Sequence, residues 1–297
     1  MNLHRLDLVS LSLFNLVVRT GSISKGAELA HLAVGAASKR ISDLEAAVGT
    51  PLLERHSRGV TLTVAGDALH RHAQRILDDV DQLAADLSDY ASGVLGVVRL
   101  WVNTSAVTQF LPRGLSGFVA ANPGIRIELE ERNSSEIVLA VLDGRADAGI
   151  FAEGTPSLGL HLVNYRIDRL VMVVPRGHPL ARRRSVRLEE ATEYDFVSLP
   201  AETSLAQRLQ AAAEALGRRL RLRIQVRSFD AVCQMVAAGM GVAVLPHAAI
   251  QPHLRSMGLR EIALDDAWAE RRLLIGLRDA GVVPRHVRTL IDHLCQG

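Results

Sequence analysis

Cysteine and long apolar segments are both scarce in this sequence of 297 residues. The two cysteines, Cys233 and Cys295, lie far apart and form no CxxC pair, which excludes a disulfide framework and a zinc site built from cysteines. No uninterrupted apolar run approaches the roughly 18 residues that a membrane-spanning helix needs. We therefore expect a protein of a reducing compartment that neither spans a membrane nor carries a metal ion.

The overall charge is also small. The formal net charge is +2, which is too weak for the whole molecule to bind nucleic acid as a polyelectrolyte, so any such contact must be local. Hydrophobic residues make up 48% and charged residues 22%, shares that exclude disordered and fibrous classes. The length favours two domains.

Charge divides the chain into unlike parts. Residues 1–62 hold seven basic and five acidic side chains, whereas residues 63–92 hold two basic and six acidic ones. We expect three modules, at residues 1–62, 63–92 and 93–297. The apolar stretch at residues 8–18 is interrupted by polar side chains and repeats at helical spacing, so it is interpreted as an amphipathic helix of a cytoplasmic protein and not as a secretion signal.

Two helical patterns occupy the first module. Ser22 or Ser24 can cap the N-terminus of a short helix, and a second helix follows a break at residues 33–35. The second helix has one apolar stripe, consisting of Ala37, Ile41, Leu44 and Val48. Its opposite face carries Gly35, Ser38, Lys39 and Ser42. Small residues beside a cation are typical of a helix that enters the major groove of DNA.

Residues 52–63 then predict a β-hairpin that turns at residues 57–59. Arg55, His56 and Arg58 lie near its tip, where cations can contact phosphates or a minor groove. The alternative is that the two helices form a simple helical hairpin and that the basic turn is only solvated.

A seven-residue repeat follows from Thr63, a candidate N-cap. Its apolar positions are Leu69, Ala73, Ile76, Val80, Leu83, Leu87 and Tyr90. Such a narrow stripe needs a partner helix, most simply the same helix of a second subunit, which predicts a homodimer. The alternative is that the helix packs against its own domain.

Beyond residue 96, β-rich apolar runs alternate with helical runs, which predicts an α/β fold with mainly parallel sheets in two lobes. We expect lobe I at about residues 93–166 and 267–297, and lobe II at about residues 167–266. Ligands of such folds bind at strand ends or between lobes. Asn103, Thr104 and Ser105 at a helix start predict a site for a small carboxylate-bearing molecule, and Glu202, Thr203 and Ser204 face it from the second lobe. Glu202 argues against a plain dianion unless it pairs with an amine or a hydroxyl of the ligand. The alternative is that Thr104 or Ser105 only caps its helix.

Several ordered segments resemble the LysR-type transcriptional regulators. They are residues 21–30 (GSISKGAELA), 37–45 (ASKRISDLE), 48–55 (VGTPLLER), 62–66 (LTVAG), 110–112 (FLP), 142–150 (LDGRADAGI) and 239–246 (GMGVAVLP). The resemblance spans nearly the whole chain. It implies a winged helix-turn-helix, a dimerising linker helix and a two-lobed effector domain like the periplasmic binding proteins. It also implies tetramers, control of promoters by small molecules, and a place for Phe151, Phe229 and His247 near the rim of the effector cleft.

One departure from the family pattern concerns base recognition. Family members usually have Ser-Gln-Pro where this chain has Ala33, Val34 and Gly35, and the glutamine commonly contacts a base edge. Val34 offers only apolar contact, for instance to a thymine methyl, which predicts an altered base preference. The residues expected to contact DNA are Ser24, Lys25, Val34, Gly35, Ser38, Lys39, Arg40, Ser42, Arg55 and Arg58.

Other function classes fit less well. The sequence lacks a dinucleotide-binding loop in the right order, a P-loop and a G-x-S-x-G elbow, so we expect neither an enzyme nor a bound cofactor. A solute-binding protein of the periplasmic type stays open as the alternative for residues 93–297, whereas residues 1–92 predict folded modules and not a removable leader.

Overall fold

The computed structural model describes residues 6–56, 59–91, 96–279 and 283–296. The chain divides into two compact units, Met1–Ser92 and Gly93–Gly297. We call them the first unit and the effector unit.

The first unit is a small helical core with a β-hairpin. Its elements are α1 (Leu8–Thr20), α2 (Ile23–Leu29), α3 (Val34–Val48), β1 (Leu53–His56), β2 (Gly59–Leu62) and α4 (Val64–Ala91). Asp7 caps α1 and Ser22 caps α2 through their side chains, while Gly21 and Gly49 end α1 and α3 in the left-handed conformation. Ser22 is one of the two caps expected from the sequence, and it sets the start of α2.

The core of this unit lies between α1, α2, α3 and the hairpin. Phe14, Val17, Ala37, Ile41 and Leu44 are its buried centre. Strands β1 and β2 pair antiparallel from Leu53 opposite Leu62 to His56 opposite Gly59. The predicted turn residues Ser57 and Arg58 lie outside the described part of the chain.

The effector unit contains mixed sheets, and here the expectation of mainly parallel strands is wrong. Its elements are β3 (Gly96–Val102), α5 (Thr104–Gln109), α6 (Leu111–Ala121), β4 (Ile125–Glu131), α7 (Ser134–Leu142), β5 (Ala148–Ala152), β6 (His161–Pro175), β7 (Ser185–Val186), α8 (Leu188–Ala191), β8 (Asp195–Ser198), α9 (Ser204–Ala215), β9 (Arg221–Gln225), α10 (Phe229–Ala237), β10 (Ala243–Pro246), α11 (His247–Ser256), β11 (Leu259–Leu264), β12 (Glu270–Leu277) and α12 (Arg285–Gln296).

Strand β6 belongs to both lobes. Its first part pairs with β12 beside β5, β3 and β4, and its last part pairs with β10 and β11. Strands β3, β4 and β5 are parallel, as expected, but β12 is antiparallel to β5 and β6, and β10 and β11 are antiparallel to β6. The reason is that β6 and β12 carry the chain between the lobes in opposite directions, which an alternating βα pattern does not reveal.

Each lobe has its own apolar core. Lobe I is filled by Leu100, Ile150, Leu273 and other side chains under α6 and α12. Lobe II is filled by the second half of β6 and by residues of α9, α10 and α11. Two separate cores leave a cleft between the lobes, and the starts of several helices line it.

Candidate DNA-binding face and effector cleft

The face of α3 predicted to meet DNA is exposed. Val34 is 50% exposed, and Gly35, Lys39 and Ser42 are exposed as well, while Ser38 is half-buried. The buried side of the helix is the predicted stripe of Ala37, Ile41 and Leu44. No side chain caps α3, because its N-cap residue is Ala33. The backbone N–H groups of its first turn are therefore not bonded to a side-chain acceptor of the N-cap residue. This surface can approach a polyanion closely.

The cations on and near α3 differ in how they are held. Lys25 and Lys39 are exposed and make no ion pair with any described residue. Arg40, in contrast, donates from Nη1 to Asp7 Oδ1 at 3.0 Å and to Ser10 Oγ at 3.1 Å. Burial alone would raise the pKa of Asp7, but hydrogen bonds from Ser10 and the charge of Arg40 lower that pKa below its usual value. Arg40 thus fastens α3 to α1.

The hairpin brings a further cation to this face. Arg55 is exposed, and its Nη2 atom lies 3.5 Å from Ser42 Oγ on α3. Ser24 is exposed in the first turn of α2, next to Lys25, while Ser22 is the residue that caps the helix. Arg58 lies outside the described residues. The described members of the predicted DNA set therefore lie on α2, α3 and β1 of one compact unit.

The long helix α4 is only partly covered by its own unit. Ala73 is fully buried, and His70 Nδ1 lies 2.8 Å from Asn15 Oδ1 on α1. Further along, Ile76 is 44% exposed and Leu83 is 56% exposed. The side chains of Leu87 and Tyr90 are outside what the structure describes. The start of the apolar stripe packs on α1, and Ile76 and Leu83 further along are largely exposed in the described first unit.

In the effector unit, four helices begin at one small cleft that is open to solvent. The helices are α5, α7, α9 and α10, whose positive ends favour an anion or an acceptor-rich group. The lining residues are Asn103, Thr104, Ser105, Arg132, Asn133, Ser134, Leu199, Thr203, Ser204, Leu205 and Phe229. Lobe I contributes the first six of these residues, and lobe II contributes the others.

Three buried lining residues already accept one hydrogen bond from the protein, while their donors have no partner among the described residues. Asn103 Oδ1 accepts the N–H of Ala106 at 2.9 Å, and its Nδ2 amide has no partner among the described residues. Ser105 Oγ accepts from Arg271 Nη2 at 2.6 Å, and Ser134 Oγ accepts the N–H of Ala152 at 3.4 Å. Neither hydroxyl donates to a described residue. The buried wall therefore offers donors to a ligand that brings acceptors.

Two other predicted donors are already engaged. The Thr104 hydroxyl donates to Glu131 Oε1 at 2.6 Å, and the Thr203 hydroxyl donates to the carbonyl of Pro200 at 2.8 Å. Sequence alone did not show these partners. Thr203 also caps α9, accepting from Ala206 at 3.3 Å.

A cation missed by the sequence analysis lines the cleft. The Arg132 guanidinium stands 5.3 Å from the centre of the Trp101 ring and pairs with Glu130 at 2.8 Å. The signal was present: Arg132, Asn133 and Ser134 stand between β4 and α7, as Asn103, Thr104 and Ser105 stand between β3 and α5.

Three predicted effector residues lie elsewhere than the cleft lining. Phe151 is fully buried in the core that packs α7 against β5. Both faces of β5 are covered, since Ala148, Ile150 and Ala152 belong to the other core of lobe I. Glu202 is exposed in the loop before α9. His247 begins α11, where its Nδ1 atom lies 2.9 Å from Glu261 Oε2. Phe229, which the family resemblance also placed near the rim, does line the cleft.

Two other kinds of feature are absent from the described residues. No group of three or more His, Cys, Asp or Glu side chains there could hold a metal ion. Within the same residues, no helix combines the length and apolar character required to cross a membrane.

Comparison with known proteins identifies the class. Residues 8–67 match the family described as bacterial regulatory helix-turn-helix protein, lysR family, and residues 91–297 match the LysR substrate binding domain. The chain belongs to the LysR family. It is a DNA-binding transcriptional regulator with an effector-binding domain, so the reading of residues 93–297 as a solute-binding protein without a DNA-binding module is not favoured.

Individual relatives are distant but nearly full length. A probable RuBisCO transcriptional regulator of Emiliania huxleyi is 25% identical over 274 residues, covering 90% of this chain and 87% of that protein. The HTH-type transcriptional activator CmpR of Synechocystis is 26% identical over 232 residues, covering 78% and 76%.

Among solved structures, full-length CbnR complexed with target DNA superposes with a TM-score of 0.74 at 20% identity, covering 98% of this chain and 99% of that one. The regulatory domain of CcmR from Synechocystis, in complex with 2-PG, gives a TM-score of 0.63 at 24% identity, covering 68% and 96%. At these identities the similarity concerns the fold.

Proposed function

We propose that this regulator reads DNA with the exposed face of α3 and responds to a small acid bound between its lobes. Val34, Gly35, Ser38, Lys39 and Ser42 meet the major groove. The observation that carries this assignment is the outward face of small side chains beside a lysine with no ion-pair partner among the described residues. The protein acts in the cytoplasm, where its DNA lies, by binding and not by catalysis.

The remaining cations serve the DNA backbone or the fold. Lys25, with Ser24 beside it, and Arg55 flank the α3 face, and we assign the same role to Arg58, which lies outside the described residues. Arg40 has a different task, since its guanidinium is bonded to Asp7 and Ser10 and holds α3 against α1. We assign Arg40 to positioning the recognition helix.

The test of the DNA face is a salt titration of binding to a duplex without a selected site. Lys39→Ala should weaken binding roughly fivefold near 0.15 M salt and reduce the salt slope by about 1, because one phosphate contact is lost. Arg58→Ala should act in the same way. Arg75→Ala, an equal charge loss on α4, is the matched control and should change neither quantity. An unchanged slope in Lys39→Ala would contradict the assignment.

Base preference gives a second, independent measurement. In a selection from randomised duplexes, Val34→Gln should change the ranking of bases at one position per half-site, since a glutamine adds a bidentate contact that a valine lacks. If the ranking is the same for both proteins, Val34 does not contact a base edge.

Dimerisation through α4 is the assembly that the exposed apolar positions support. Ile76 and Leu83 lie seven residues apart on one stripe and would be covered by the same helix of a second subunit. Ile76→Asp with Leu83→Asp should convert dimers, or the tetramers that the family resemblance implies, to smaller species in sedimentation experiments. Val119→Asp on α6, an exposed apolar position of the other unit, is the control for a new surface charge.

The effector is proposed to be a small carboxylate or related acid. The buried amide of Asn103 and the hydroxyls of Ser105 and Ser134 all offer protons into the cleft, and Arg132 adds a cation. An anion with two or more acceptor oxygens satisfies these groups, whereas an amine would leave every one of them unpaired.

The test is thermal stabilisation of the full chain by small acids, including 2-PG, since a bound ligand adds stability by mass action. Ser105→Ala combined with Ser134→Ala should remove most of the stabilisation, and Thr104→Ala should have the smaller effect because its proton is held by Glu131. Thr192→Ala removes another buried hydroxyl that does not line the cleft and should have no effect. Full stabilisation in the double variant would reject this acid site.

A further inference from the structure

A buried ion pair lies behind the cleft, at the place where β6 and β12 pass between the lobes. Asp168 on β6 is opposite Arg271 on β12, and the two residues are 0% and 1% exposed. Arg271 donates to Asp168 Oδ2 from Nε at 2.9 Å and from Nη2 at 2.7 Å. Gln109 of α5 donates to the other carboxylate oxygen at 3.1 Å. Both oxygens of Asp168 are therefore engaged, which fixes the guanidinium in place.

The same guanidinium reaches the wall of the cleft. Arg271 Nη2 also donates to Ser105 Oγ at 2.6 Å, and Ser105 is a lining residue while Arg271 is not. Ser105 and Gln109 are one helical turn apart, so α5 is attached to the ion pair by two of its side chains. A ligand that contacts Ser105 thus meets a hydroxyl whose other partner is a fixed cation.

This contact decides what Ser105 can do. A guanidinium has donors and no acceptor, so Ser105 cannot give its proton to Arg271. The oxygen already accepts from a cation and becomes a poor second acceptor, whereas its proton has no acceptor among the described residues. Without Arg271, the hydroxyl could rotate and accept a hydrogen bond from a ligand N–H group.

We propose that Arg271 is a positioning residue that sets ligand selectivity: it holds Ser105 as a donor, so that the cleft accepts an acid and discriminates against the corresponding amide. Asp168 keeps the guanidinium in place. This inference rests on the proposed acid effector and adds the residue that enforces its chemical class, although Arg271 itself does not contact the ligand.

The experiment compares acids with their own amides. Stabilisation of the full-length protein is measured with benzoate and benzamide, succinate and succinamide, and lactate and lactamide, and each pair gives a ratio of dissociation constants. The wild type should favour the acid by tenfold or more. Arg271→Met combined with Asp168→Leu replaces the pair with apolar side chains of similar size, a change that buried ion pairs often tolerate. Its acid-to-amide ratio should fall by about tenfold, the equivalent of one charge-assisted hydrogen bond.

Controls separate this role from a merely structural one. Arg271→Lys keeps a group that can only donate, so the wild-type ratio should be largely restored. Arg99 on β3 and Asp147 form another ion pair, with Arg99 Nη2 2.7 Å from Asp147 Oδ1. Replacing that pair by Arg99→Met with Asp147→Leu should leave the ratio unchanged. If the double variant of the buried pair does not fold, Ser105→Ala tests the premise that the Ser105 proton discriminates, because it removes that proton and should lower the acid-to-amide ratio by about tenfold.

The outcomes distinguish the two proposals. A folded Arg271→Met and Asp168→Leu protein, or Ser105→Ala, that keeps the wild-type ratio overturns the selectivity role of Arg271 and leaves the acid effector standing. If the wild type is stabilised equally by acids and amides, or by neither, the acid class is wrong, and the role given to Arg271 is wrong with it.

Discussion

The two units of this regulator differ in where their candidate binding groups lie: they are exposed in the first unit and buried in the effector unit. On the first unit, Lys25 and Lys39 are exposed, so their charges act through solvent and are screened by salt. In the effector unit, Asn103 and Ser105 are about 5% exposed, and their acceptor atoms are bonded inside the protein. If these groups make the proposed contacts, DNA is bound by shape and charge at a surface, whereas the effector is bound by oriented donors of buried side chains. The first kind of recognition should be salt-dependent and the second should depend on buried geometry.

The largest expected effect comes from disrupting the buried ion pair of the effector unit. Arg271→Met alone leaves the fully buried Asp168 without its counter-charge, which should lower the free energy of unfolding by about 3–5 kcal/mol. Both tryptophans, Trp101 and Trp268, are in the effector unit, so urea denaturation followed by tryptophan fluorescence reports that unit alone.

The matched control for Arg271→Met is the double replacement with Asp168→Leu. It should recover most of the lost stability, because no unpaired charge is left in the interior. A single variant as stable as the wild type would show that water or another group compensates Asp168, contrary to its burial.

A smaller effect is expected where the hairpin joins the linker helix of the first unit. A Cβ atom on Gly66 would lie 2.0 Å from the carbonyl oxygen of Leu52, which is backbone and cannot rotate away. Gly66→Ala should therefore destabilise the first unit by about 1–3 kcal/mol, the usual cost of overpacking. Hydrogen exchange in α1 should increase, while the tryptophan-detected unfolding of the effector unit should not change. Protection of α1 at the wild-type level would contradict this close contact.

How far the sequence predicts this molecule depends on the range of the interactions. Ser22 and Thr63 act within a few residues, and both cap their helices as the sequence predicts. Asn103 lines the cleft, as its place between a strand and a helix suggests, and Phe229 lines it as the family resemblance implies.

What the sequence could not supply is pairing between distant segments. Arg271 and Asp168 are 103 residues apart and meet only through the register of β12 on β6. The same limit applies to Thr104, since nothing local shows that Glu131 takes its proton. Phe151 was placed at the rim by family analogy, but the uniform burial of β5 puts it in the core.

The smallest effect sharpens the comparison most, because it separates stability from function in the first unit. A Cβ atom on Gly35 would meet no atom within 4 Å, and the residue lies in the first turn of α3. Alanine at this position should stabilise the helix by roughly 0.5–1 kcal/mol, since glycine loses more backbone entropy on folding. If the face of α3 lies in the major groove, the added methyl nevertheless stands between backbone and bases and should weaken DNA binding. Gly154→Ala, at an open loop position with φ of 85°, is the opposite control: it should destabilise the effector unit slightly and leave DNA affinity unchanged. A Gly35→Ala protein that is more stable and binds DNA as tightly as the wild type would place the groove contact elsewhere on the first unit.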